Sequence, residues 1–178
     1  CYNTGRIYSK VESVQINSGG IVGCAFYNVT IKNSYNTSDV YTETKLTNEE
    51  TYATPYSGGI AGYMFGSNIT MCYNRGNIQS ISLGLDDAYA GGITGSILGG
   101  RISKCYNEGD VLTKTASTFA YAGGIAGDNY SDEGISNCFN IGVITVSAYN
   151  GYDRFLMAGG IVGENVSEII NCYNAEVV

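Results

Sequence analysis

The chain has 178 residues, among them 25 Gly and 16 Tyr, with one Pro, no Trp and no His. Without His it cannot hold a Ser-His-Asp or Cys-His nucleophile system, an HExxH zinc site or a histidine-containing zinc finger. Nine Lys and Arg against sixteen Asp and Glu give a net charge of −7 with no basic run, a poor match for nucleic acid or for an anionic membrane surface.

The first element is Cys1-Tyr2-Asn3, and it recurs. Copies stand at Ser34-Tyr35-Asn36, Cys72-Tyr73-Asn74, Cys105-Tyr106-Asn107, Cys138-Phe139-Asn140 and Cys172-Tyr173-Asn174, at intervals of 33, 38, 33, 33 and 34 residues. Most copies continue as x-Gly-x-Ile/Val. Alternating strictly with this motif is a second, Gly-Gly-Ile-x-Gly, at Gly19–Gly23, Gly58–Gly62, Gly91–Gly95, Gly123–Gly127 and Gly159–Gly163. Five periods of one small unit mark a repeat architecture.

Within each period three segments read as strands. In one period they are Ala88–Ile93 ending at the Gly-Gly motif, Ile102–Asn107 running into Cys-Tyr-Asn, and Asp110–Thr115 after the next Gly. β-Branched and aromatic residues dominate them, and Gly, Asn, Asp and Ser separate them. No stretch keeps a 3.6-residue apolar period, so essentially no helix is expected. A unit this small cannot bury its apolar face alone, whereas coils stacked about 4.8 Å apart can. The expectation is an all-β, right-handed parallel β-helix with three strands per coil. It has about five coils, is roughly 24 Å long, and forms one domain over residues 1–178. No apolar run approaches the roughly 20 residues of a membrane-spanning helix. The chain starts at Cys with no visible signal peptide and reads as a piece of a longer one. Its longest connection runs from Val40 to Gly58, and a smaller extension spans Tyr149–Arg154. Insertions in a solenoid gather on one face, often a binding face, which makes Tyr41, Tyr52, Tyr149 and Tyr152 a candidate binding face. An inert, drifted loop is the alternative.

The motif residues fall in columns. Cys1, Cys72, Cys105, Cys138 and Cys172 share one position, with Ser34 in the sixth copy. Stacked side chains point in parallel, so the column reads as reduced, buried thiols rather than a disulfide ladder. Zinc needs ligands that converge, which a column does not offer. Cys24 is off this register. Asn3, Asn36, Asn74, Asn107, Asn140 and Asn174 read as a ladder of amides bonded to each other and to their own turns. The preceding aromatic is Tyr in five copies and Phe at Phe139, so its hydroxyl is dispensable. A stack is the plain reading, and a stripe that binds sugar or protein is the alternative. A second aromatic column stands at Tyr56, Tyr89 and Tyr121 and is expected to lapse at Asn17 and Leu156. The clustered Gly require either positive φ or close backbone approach. Acid pairs at Glu49-Glu50, Asp86-Asp87 and Asp132-Glu133 read as solvated loop acids, not as the two spaced carboxylates of glycosidases. Asp128-Asn129 and Asp132-Glu133 are weak calcium candidates. Sequons begin at Asn28, Asn36, Asn68, Asn129 and Asn165, and at Asn36 the ladder leaves no room for a glycan.

Gly159–Val177 and Gly91–Val111 strongly resemble the GLUG repeat, and the resemblance extends over essentially the whole chain. It implies a segment of a large secreted or surface-anchored bacterial protein, of the kind found beside immunoglobulin A metallopeptidases and in filamentous adhesins. Any zinc chemistry of such a parent would lie outside this chain. Ser34-Tyr35-Asn36-Thr37-Ser38 lacks the motif Cys and Gly, and Ala175-Glu176 lacks the Gly. The functional expectation is a non-catalytic extracellular stalk, spacer or adhesive module, with no cofactor, no catalytic residue and no metal. A host protein or glycan and the flanking domains of the parent are its expected partners. Head-to-tail self-association and a glycan-binding or carbohydrate-active β-helix are the alternatives.

Overall fold

The structure is a computed structural model that describes residues 1–12, 15–45, 53–84, 86–116, 119–149 and 155–175. Every pairing of strands is parallel, and the described residues contain no helix. The chain winds through four sheets in turn and returns to the first one coil further along the axis. The first sheet is built from the Tyr-Asn pairs, six two-residue strands from Tyr2–Asn3 to Tyr173–Asn174. The second takes Ile7–Val11, Val40–Thr44, Ile78–Ser82, Val111–Thr115 and Ile144–Ala148. The third takes Ile16–Gly19, Pro55–Gly58, Ala88–Gly91, Phe119–Gly123 and Phe155–Gly159. The fourth runs from Gly-Gly-Ile towards Cys. It is continuous in Ala61–Thr70 and Thr94–Ser103 and divided in two in the other coils. The result is a β-solenoid of about five turns.

The three expected segments of each coil are all strands, and a further one joins them. The stretch Thr94–Arg101, after Gly-Gly-Ile, pairs with Ala61–Asn68 and was not singled out in the sequence. The segment Ile102–Asn107 is divided between two sheets because Lys104 has φ 54°. The same left-handed corner recurs at Asn33, Met71, Asn137 and Asn171, each just before the Cys/Ser position, with φ between 50° and 53°. A residue in this region turns the chain sharply, which ends one strand and starts the next on another face.

The core has two parts. The larger joins the anchor Ile of each Gly-Gly-Ile motif (Ile60, Ile93 and Ile125) to Ile69, Ile102, Ile135 and the thiols of Cys72, Cys105 and Cys138. The smaller lies between the second and third sheets, where Val40, Ile78, Val111 and Ile144 meet Ala90 and Ala122. Buried hydroxyls fill the rest of that space. Ser57 donates to Thr42 at 2.7 Å, and Thr113 donates to the Tyr121 carbonyl at 2.9 Å.

The paired Gly serve close approach, not positive φ. A Cβ on Gly92 would sit 2.2 Å from the Gly124 carbonyl oxygen and 2.3 Å from Cγ of Asn107. Neither motif therefore tolerates loss of the other, since the Asn of one fills the space that the Gly of the other leaves open.

Candidate functional site

The six motif Asn form one continuous ladder. Nδ2 of Asn3, Asn36, Asn74, Asn107 and Asn140 each donates to Oδ1 of the next Asn, at 2.7–2.8 Å. The second N–H of each reaches the carbonyl two residues on, at 2.6–2.7 Å. Asn36, Asn74, Asn107 and Asn140 are fully buried. Their amides point into the solenoid with their bonding capacity used, which leaves none for a ligand.

The Cys column lies beside this ladder. Its five cysteines and the off-register Cys24 are free thiols. Each of Cys72, Cys105, Cys138 and Cys172 donates S–H to the carbonyl two residues before it, at 3.2–3.3 Å. The sulfur then accepts the backbone N–H of the Cys one coil earlier, at 3.4–3.5 Å for the Cys105, Cys138 and Cys172 acceptors. Cys72, Cys105 and Cys138 are buried, Cys172 is half-buried and Cys1 is exposed. Burial pushes the Cys105 thiol well up, which suits it to packing rather than to nucleophilic chemistry, whereas hydrogen bonding with Cys105 draws the Cys72 and Cys138 thiols down.

The aromatic motif residues face outward. Rings stack from Tyr2 through Tyr35, Tyr73, Tyr106 and Phe139 to Tyr173, with centroids 4.8–5.4 Å apart. Each inner ring has both faces against its neighbours, so the stripe offers solvent only edges and hydroxyls. A sugar ring has no open aromatic face to lie on except at the ends, where Tyr2 and Tyr173 are 68% and 57% exposed.

Of the candidate binding face, Tyr52 and Tyr152 lie outside the described residues. Tyr41 and Tyr149 are both engaged by neighbours. Tyr41 stacks on Tyr8 at 5.0 Å and donates to Glu43, which also pairs with Lys10 at 2.5 Å. The Lys114 ammonium sits over the Tyr149 ring at 3.8 Å. These contacts hold both rings to the second sheet.

A different surface gathers more chemistry. The residue after each Gly-Gly-Ile-x-Gly motif forms a column on the fourth sheet, in the order Cys24, Tyr63, Ser96, Asp128, Glu164. On the third sheet the outward column is Asn17, Tyr56, Tyr89, Tyr121, Met157. The expected lapse at Leu156 is corrected here: Leu156 lies opposite Ala120, and Met157 opposite Tyr121. Tyr56, Tyr89 and Tyr121 stack at 4.8 and 4.6 Å, and Tyr63 meets Tyr56 edge-on at 5.4 Å. That contact shows that the outward sides of the two sheets meet across the Gly-Gly corner. In this seam Asp128 is 8% exposed, and its Oδ1 has no hydrogen-bond partner. Burial pushes its carboxyl up to about 7, with Ser96 opposing and Glu164 reinforcing the rise. Burial likewise raises the hydroxyls of Tyr56, Tyr89 and Tyr121, which stay protonated. The column was open to sequence reading, because Asp128 and Glu164 each follow the last Gly of a motif. The two acids are far apart in sequence and are neighbours only through register.

Comparison with known proteins adds no relative. No family model, no curated protein and no solved structure matches the chain.

The calcium candidates are not assembled. Asp128 faces the seam, whereas Asn129 is fully buried and donates to Asn165 at 2.7 Å in a second, shorter ladder. Asp132 borders a shallow surface groove of about 290 Å³ with Phe65, Gly66, Leu98 and Gly99, while Glu133 pairs with Arg101. Among the described residues no group of three or more acids or thiols gathers as metal ligands. The described acid pairs stay apart too: Asp86 accepts the Ala53 N–H and Asp87 the Phe119 N–H, each across a coil.

Proposed function

We propose that this chain is a rigid, non-catalytic repeat module, a stalk or spacer of a bacterial surface protein, that holds flanking domains away from their anchor. The observation that carries the reading is the continuity of the Asn ladder through six coil positions. Interior polar groups bond along the axis and outer rings stack along it, so the side chains lock each coil to the next. Such a chain resists bending and shear more than loops or flexible linkers do. The resemblance to GLUG repeats supports an extracellular, surface-attached setting. Adhesion to a host protein or glycan remains compatible with a stalk, through surfaces other than the stacked ring faces.

The test places the chain between a surface anchor and a fluorescent reporter and measures the reporter's height. A stalk lifts the reporter by about 4.8 Å per coil, and inserting a duplicate of the coil Cys105–Asn137 raises it by one further step. A height that does not respond to added coils rejects the spacer reading. A glycan and matrix-protein array, run on the same chain, reads adhesion separately.

A further inference from the structure

The seam between the third and fourth sheets buries one carboxylate oxygen, Oδ1 of Asp128, that the fold does not answer. The charged groups acting most strongly on Asp128 and on Tyr56, Tyr89 and Tyr121 are carboxylates: Asp86, Asp87, Asp128 itself and Glu164. Five of the chain's cations are engaged elsewhere. Lys10, Arg75 and Arg101 pair with Glu43, Glu108 and Glu133, and Arg6 and Lys114 sit over Tyr8 and Tyr149. An unpartnered carboxylate oxygen in a nine-tenths buried side chain is costly unless something completes it.

We propose that this seam binds a primary ammonium group, with Asp128 and Glu164 as its carboxylate acceptors and the hydroxyls of Ser96, Tyr89 and Tyr121 beside them. An ammonium carries three donors that suit separate acceptors on two neighbouring coils. A guanidinium prefers two oxygens of one carboxylate, and Asp128 offers a single unpartnered one. A hard divalent ion prefers six or more oxygens, and no ligand cluster of that kind is present among the described residues. The ammonium belongs either to an amino sugar or to a lysine of a partner protein. The inference does not rest on the stalk reading, since a spacer and a non-spacer could both carry the seam.

Calorimetric titration of the whole chain with glucosamine, N-acetylglucosamine and Nα-acetyl-lysine amide, at pH 6.5, decides it. One or both amines should bind, and the neutral acetylated sugar should not. Binding of glucosamine alone assigns an amino sugar, and binding of the lysine probe alone assigns a partner's lysine. A lysine ammonium stays charged to about pH 10, so for this probe affinity should rise up to tenfold between pH 6 and 8 as Asp128 ionises. Glu164 on the next coil and Tyr56, Tyr63, Tyr89, Tyr121 and Tyr130 around the seam are the other titratable groups that act on Asp128. Asp128→Asn and Glu164→Gln should each weaken binding at least fivefold, with melting curves showing an intact fold. Glu133→Gln, in the bend between Ala126–Tyr130 and Ile135–Ser136, should leave it unchanged. The inference is overturned if neither amine binds at millimolar concentration, if N-acetylglucosamine binds equally well, or if folded seam variants bind like the parent.

Discussion

At the scale of single residues, the same side-chain type has very different weight along one column. Asn107 donates to Gly109 and Asn140 and accepts from Asn74, all within 2.6–2.8 Å, and it is fully buried. Asn107→Ala removes three bonds and leaves buried partners unsatisfied, at about 1–3 kcal/mol for each such group. The expected loss is about 3–5 kcal/mol by chemical denaturation. Asn3 is half-buried at the end of the ladder, where water replaces the missing partner, so Asn3→Ala should cost about 1 kcal/mol or less. Equal losses at the two positions would show that the ladder is not what stabilises the coils. Asp128 acts in the opposite sense. Its carboxyl is raised from an ordinary 3.8 to about 7, so the folded chain holds a proton that the unfolded chain releases. The stability this proton provides is complete below pH 4 and is lost as pH rises through about 7. Asp128→Asn cannot ionise and should escape that loss. Its melting temperature should exceed the parent's at pH 8, by an amount worth on the order of 2–4 kcal/mol, and match it near pH 4. A variant that melts lower at pH 8 would mean that Asp128 is paired and ionised in the folded chain.

At the scale of elements, the left-handed corner before each Cys explains both what the sequence revealed and what it concealed. Coils were legible because Cys, Asn and Gly recur at nearly constant spacing, and equal spacing in a parallel solenoid means equal register. Tyr73↔Tyr106 and Asn74↔Asn107 follow directly from it. The corner was hidden because five different sequence contexts fill it, with Asn at three positions, Met at Met71 and Lys at Lys104. No residue type announces the turn, so Ile102–Asn107 read as one strand. The additional strand after Gly-Gly-Ile was hidden for another reason: Thr94-Gly95-Ser96 carries two small polar residues and a Gly, and looks like a loop. Gly95 is required there because a Cβ would lie 2.7 Å from the Gly62 carbonyl oxygen and 2.8 Å from the Ser57 backbone nitrogen. The seam acids escaped notice because they are separated by 36 residues, from Asp128 to Glu164, and become neighbours only once the coils are stacked. The corner also yields a design test. Left-handed backbone disfavours most side chains by about 1–2 kcal/mol, and Asn is among the few that adopt it readily. Lys104→Asn should therefore stabilise the chain by about 0.5–1 kcal/mol in urea denaturation. It also adds a step below the exposed contact between Asn137 and Asn171. Lys104→Ile, β-branched at positive φ, should destabilise it. If both substitutions are neutral, the corner does not constrain the coil.

At the scale of the whole molecule, each coil touches only its neighbours, and the two ends differ from the middle. Ile60, Ile93, Ile102 and Ile125 are fully buried, whereas Ile21, Ile31 and Ile161 are only partly covered, and Ile169 and Ile170 are 39% and 42% exposed. Backbone bonds in the outer coils therefore open with less lost contact than those in the centre, and solenoids of this kind open from their ends. Amide exchange should be slowest from Tyr73 to Asn140 and faster on both sides, whatever the local strand length.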